Sequence, residues 1–176
     1  MKPFIFLLIL FATSVQAQEP QAETASTAST TDYLRYHPFS ARLGLGSTIG
    51  PETFLVVGSV EGHLDRFLSL GPMIQIGKGS SRDLFIFTGG GRLTWPLFGL
   101  SRELERAEVS IQGGVGLVHR TVNDFNFNDF VFETGLNVDV FLFDHMTVGI
   151  GGLVNITSSR EETVIGSLFA SATYRL

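Results

Sequence analysis

The chain has no cysteine, and charged residues make up only 16% of its 176 positions. After residue 17 it has no apolar run of the roughly 20 residues a membrane-spanning helix needs. The missing thiols exclude disulfides, thiolate metal centres and a lipid-modified cysteine after an export signal, so stability has to come from backbone pairing and burial. The low charge, against about 25% in an ordinary soluble domain, leaves too few ionic side chains to solvate a large polar exterior. Basic residues are scarce as well, 12 against 17 acidic, for a net charge of −5. That balance argues against nucleic acid or an anionic surface as a partner.

What is present begins with a leader. Lys2 gives a positive start, Phe4 to Ala12 an apolar run, and Val15-Gln16-Ala17 the small side chains of a processing site. This pattern predicts a signal peptide over residues 1–17, cleaved after Ala17. Residues 18–32 are Ala, Thr, Ser, Glu and Gln with little to bury, the composition of a disordered periplasmic linker. Tyr33, Tyr36, His37 and Pro38 then lead into the remainder, with the aromatic rings expected at an interfacial rim.

From Phe39 onward the dominant period is two. Phe39, Ala41, Leu43 and Leu45 alternate with Ser40, Arg42, Gly44 and Gly46, and the last segment sets Val164, Gly166, Leu168, Ala170, Ala172 and Tyr174 against Ser167, Ser171, Thr173 and Arg175. Similar alternation recurs near 53–63, 68–76, 85–95, 107–120, 130–140 and 146–157, separated by turn-forming residues such as Gly50-Pro51, Asp65-Arg66 and Lys78 to Arg82. A loop is expected from Phe98 to Arg106 and another from Asn123 to Asp129. The count is about eight strands, with one apolar and one polar face each.

Periodicity does not say which face points out. The polar face is mostly Gly, Ser, Thr and Asn, which would solvate a soluble barrel poorly. Aromatics gather in two groups, Phe85, Phe87, Phe125, Phe127, Phe130 and Phe132 at one level and Phe67, Trp95, Phe98, Phe141, Phe143 and Tyr174 at the other, as expected for girdles at two membrane interfaces. The chain also stops on a hydrophobic face. The fold expected is therefore all-β, an eight-stranded antiparallel up-and-down transmembrane β-barrel over residues 33–176, exported to a bacterial outer membrane.

Enclosed charges must then pair, because a barrel of about eight strands is just filled by side chains. Arg42, Arg92, Arg120 and Arg175 lie on the polar sides of their strands with Glu61, Glu108, Glu133 and Asp139, which predicts a structural ladder of ion pairs in the lumen. Arg42, Arg92 and Arg175, with Glu61, Glu108 and Asp139, are expected to cluster in the periplasmic half. His37, His63 and His145 are too irregularly spaced for a metal site and read as rim residues. Gly89-Gly90-Gly91 lies within a strand rather than before a helix, so it reads as a bend or close packing rather than a phosphate loop. No catalytic residue, cofactor or metal is expected.

Segments such as FLSLGPMIQIG and GSLFASATYRL, with the leader and the terminal strand, resemble the small outer-membrane β-barrel family that includes the OmpA transmembrane domain, OmpX and OmpW. The resemblance covers roughly residues 33–176. The final residue in that family is usually aromatic; here it is Leu176, with Tyr174 two places earlier. The peptidoglycan-binding domain that follows the barrel in OmpA is missing. The resemblance implies outer-membrane lipid, lipopolysaccharide and the outer-membrane assembly machinery as partners, and a monomer is expected. Some small barrels, such as PagL and PagP, modify lipid A. A site like that of PagL resembles His-x-Ser beside an acid, and the nearest approach, His119-Arg120-Thr121, lacks the serine. Two functions follow: a structural or cell-envelope interaction role with a plugged lumen, or an OmpW-like conduit for small or apolar solutes.

Overall fold

In a computed structural model, the described residues are 37–49, 53–80, 82–97, 104, 106–122, 125–158 and 163–176. The chain divides into two units, Met1–Asp32 and Tyr33–Leu176, and every described residue belongs to the second. The expected leader, the linker, Tyr33, Tyr36 and most of the 98–106 connection lie outside the described residues.

Eight strands form: β1 (Phe39–Ile49), β2 (Phe54–His63), β3 (Leu68–Lys78), β4 (Arg82–Pro96), β5 (Ala107–Val122), β6 (Phe125–Phe143), β7 (Met146–Thr157) and β8 (Val164–Arg175). Each pairs antiparallel with its sequence neighbours, and β1 pairs with β8 to close the barrel. Closure leaves no unpaired sheet edge in the wall, the condition a strand must meet to sit in hydrocarbon. All eight strands have 10 or more residues, enough to cross when about 9–11 tilted residues suffice.

Alternation along the strands sorts side chains cleanly. In β1, Ser40, Arg42, Gly44 and Thr48 are buried while Leu43, Leu45 and Ile49 are exposed. Exposed apolar residues run round the exterior, from Phe39, Phe67, Trp95, Phe143 and Tyr174 at the end where β1 begins and β8 finishes to Phe54, Phe85, Phe87 and Phe130 at the far end. Soluble monomers rarely expose contiguous apolar surface of this extent. It ends on β5 and β6 where Leu117 and Phe130 give way to two polar rungs, His119 against Asn128 and Thr121 against Asn126, which hydrogen-bond at 2.7 and 2.8 Å.

Two expectations need correction. Residues Phe125–Asp129 are strand rather than loop, because Phe125 to Asn128 pair with Val122 to His119 and extend the β5–β6 hairpin beyond the last β6–β7 pair, Val131 with Thr157. The girdles also contain members of the wrong parity. Phe125 and Phe127 share a face with the inward Glu133, and Phe141 is buried in the lumen, with the Arg175 guanidinium 4.7 Å from its ring centre. Aromatic clustering by sequence position ignores the pleat, and in β6 neighbouring phenylalanines at odd and even positions face opposite ways.

Proline and glycine shape the wall locally. Between β2 and β3 the ladder skips Val60 and Glu61, opposite Gly71 and Pro72, and Pro72 has no N–H to give. On β5, a Cβ at Gly116 would run into the Phe87 carbonyl oxygen of β4, so only glycine allows that close approach of backbones. At the β2–β3 turn the Asp65 carboxylate accepts the Phe67 and Leu68 N–H groups at 2.6 and 2.7 Å, which holds it below the usual carboxylate range.

Candidate functional site: the barrel lumen

The inward positions build three levels. Nearest the start of β1 and the end of β8 lie three ion pairs. Arg42 Nη2 donates to Asp139 Oδ2 at 2.8 Å, and Arg92 Nη2 meets Glu61 Oε1 at 2.9 Å. The Arg175 guanidinium contacts the Glu108 carboxylate. Neighbouring hydroxyls add to these shells: Thr173 accepts from Arg42 Nε, and Ser59 and Ser69 donate to Glu61. These six charged residues are the ones placed in a single periplasmic cluster from parity.

At mid-height the arrangement changes. Glu133, only 1% exposed, touches no arginine; Gln75 Nε2 and Thr88 Oγ1 donate to its Oε2 and Gln112 Nε2 to its Oε1, at 2.8–3.0 Å. Three donors can hold a carboxylate without a direct cation. Gln112 also accepts from Arg92 Nη2 and from Asn137, so this amide links the ion pairs to Glu133. Beside it lies a cavity of about 20 Å³, lined by glycines, Pro72 and Met73 as well as by Glu61, Arg92, Gln112 and Glu133, room for roughly one water molecule. The cavity follows from sequence: Gly71, Gly90 and Gly114 form one cross-strand row ending at Glu133, and no side chain projects inward along it.

The far half is mainly aliphatic. Leu84, Ile86, Val118, Val131 and Ile165 form a buried aliphatic layer across the lumen, and Leu55, Val57, Met73, Leu153 and Phe169 form a second apolar cluster. Arg120 lies beyond the layer, where its Nη2 meets Asp129 Oδ2 at 2.9 Å rather than Glu133, and its guanidinium sits 5.9 Å from the Phe127 ring centre. These apolar lumen residues do not stand out in the sequence when the inward face is assigned by its polar members. Strict parity would have found them, since Leu55 and Val57 share the parity of Ser59 and Glu61.

The remaining candidates are dispersed. His119 Nδ1 pairs with Asn128 in place of an acid, on the outer face. His63 bonds Ser40 Oγ at 2.9 Å at the end of β2, and His37 and His145 meet ring to ring. Among the described residues no three His, Asp or Glu side chains are placed to hold a metal ion.

Known structures share this architecture. Neisserial surface protein A superposes with a TM-score of 0.57 and 11% identity over 78% of this chain and 96% of that one. The N-terminal β-barrel domain of Pseudomonas aeruginosa OprF gives 0.57 and 8%, over 78% and 97%. The outer membrane enzyme PagL gives 0.52 and 13%, over 78% and 99%. No protein-family model and no curated protein matches the sequence. Closed eight-stranded topology, an apolar exterior and buried ion pairs inside make this chain, by fold, a small transmembrane β-barrel of the outer-membrane type.

Proposed function

We propose that the chain is exported by a signal peptide over residues 1–17 and resides in a bacterial outer membrane, with residues 18–32 as a periplasmic linker. There it acts as a closed barrel with a structural or cell-envelope interaction role. The observation that carries this reading is that the lumen is filled twice over, by hydrogen-bonded ion pairs toward the termini and by an aliphatic layer in the far half. Water and ions would have to breach both, and the charged side chains of the polar half would have to give up their partners. Outer-membrane lipid and lipopolysaccharide surround such a barrel and the outer-membrane assembly machinery inserts it; a monomer suffices, because the wall closes on itself. Catalysis is disfavoured because His119 is held by asparagine and Thr121 bonds Asn126, leaving neither a nucleophile beside the imidazole nor an acid to orient it.

The test is conductance of the purified full chain in planar bilayers. A sealed lumen gives no steady current, and Ile86→Asn in the aliphatic layer gives none alone, because the ion pairs still close the other half. Reproducible wild-type channels whose ion preference changes with Arg42→Glu would overturn the closed reading and favour the conduit.

A further inference from the structure

Among the described residues, the lumen holds one carboxylate more than its arginines meet directly. Arg42, Arg92, Arg120 and Arg175 contact Asp139, Glu61, Asp129 and Glu108 in that order, and Glu133 is left to amide and hydroxyl donors. We propose that the mid-lumen cavity beside Glu133 is a water site, in which one held water molecule joins Arg92 to both Glu133 and Glu61. A single guanidinium then serves two carboxylates.

The partners of that water can be counted atom by atom. Arg92 Nη2 is used by Glu61 Oε1 and by Gln112 Oε1, but Arg92 Nε is buried and has no hydrogen-bond partner in the protein. A buried donor on a charged group is costly to leave unmet. On the acceptor side, Glu133 Oε1 takes one bond, from Gln112, and Glu61 Oε2 takes one, from Ser69. Each carboxylate oxygen can accept two. Arg92, Glu61 and Glu133 all line the cavity, so one donor and two spare acceptor positions border a space of about 20 Å³. A buried water typically makes about three hydrogen bonds and needs only about 10–15 Å³.

Other occupants fit less well. Pro72, Met73 and the glycines make part of the wall apolar, and wholly apolar cavities stay dry, but here a guanidinium and two carboxylates face the same space. A metal cation would lie beside the Arg92 guanidinium and be repelled by it. Room for the water comes from glycine. A Cβ at Gly71 or Gly90 would run into the carbonyl oxygen of Val60 or Gly113, whereas one at Gly114 would lie 3.1 Å from the Gly89 carbonyl oxygen, a contact that a small shift relieves. One trapped molecule is not a water column, so the site is compatible with a sealed lumen.

The experiment is nuclear magnetic resonance of the full chain, refolded in lipid nanodiscs with isotope-labelled arginine, reading magnetisation transfer between water and the guanidinium Nε–H groups. Laboratory-frame and rotating-frame measurements together separate contact from proton exchange. The Arg92 signal is identified by its loss in Arg92→Met. It should show a water cross peak with the sign of a molecule held in place, not of one diffusing past. Gly114→Ala and Ser59→Thr each add one methyl group to the cavity wall, and the second keeps the hydroxyl that donates to Glu61. Each is checked for the wild-type gel mobility of the folded barrel, and in each the cross peak should disappear. Absence of the cross peak in the wild type would overturn the proposal, because the cavity is then dry. So would the sign of freely diffusing water, or a cross peak that persists in both variants. A shift of the wild-type Arg92 signal on exchanging sodium for N-methylglucamine would overturn it too, since a metal cation would then hold the site.

Discussion

Arg92 joins an ion pair of the lumen to its amide network. Only 7% exposed, it pairs with Glu61 and donates to Gln112, which in turn holds Glu133. Replacing it with methionine keeps much of the volume but leaves Glu61 buried with only serine donors. The loss should be about 3–5 kcal/mol, the usual penalty for stranding one member of a buried pair. A urea midpoint for Arg92→Met equal to that of the wild type would show that Glu61 is solvated or repaired by a neighbour. The double variant Arg92→Met with Glu61→Gln should recover part of the loss, because the stranded charge is then gone. That the charged residues lie inside was legible from their position on the polar side of each strand. Their pairing was not: Arg42 and Asp139 are 97 positions apart, and nothing local tells Arg120 to choose Asp129 over Glu133.

At the scale of the element, each strand has two environments one residue apart. Leu136 of β6 is 54% exposed on the lipid face, and its neighbour Asn137 is buried in the lumen bonded to Gln112. Leu136→Arg should cost about 2–4 kcal/mol near mid-membrane, and Leu136→Phe almost nothing, measured as folding free energy in vesicles. Equal tolerance of both changes would mean the face meets water. The alternation that permits this reading was visible in the sequence for every strand. Element ends were less visible. Phe125–Asp129 read as loop because Asn and Asp favour turns, but cross-strand pairing with His119–Val122 overrides that local preference. Phe141 shows the same limit from the other side, since its neighbours suggested an interfacial girdle and parity carried it into the lumen.

For the whole molecule, lipid takes the place of a conventional core. Most of the large apolar side chains lie outside, and the interior holds mainly polar and aliphatic ones with few aromatic rings, so the fold is stable only where its exterior is solvated by hydrocarbon. The chain should therefore resist extraction by alkaline carbonate. It should also migrate faster on gels unheated than heated, because a closed wall of eight ladders has no edge at which detergent can begin to open it. Release of the folded chain by carbonate would contradict the membrane reading of its exterior. By itself the sequence determined the number of strands, their order and which residues share a face, because strand period and turn chemistry are local. Only the tertiary structure decided how the lumen is filled. Closure sets the stagger between strands, and the stagger determines that Glu133 meets amides instead of arginine and that five aliphatic side chains from β4, β5, β6 and β8 meet in one sealing layer.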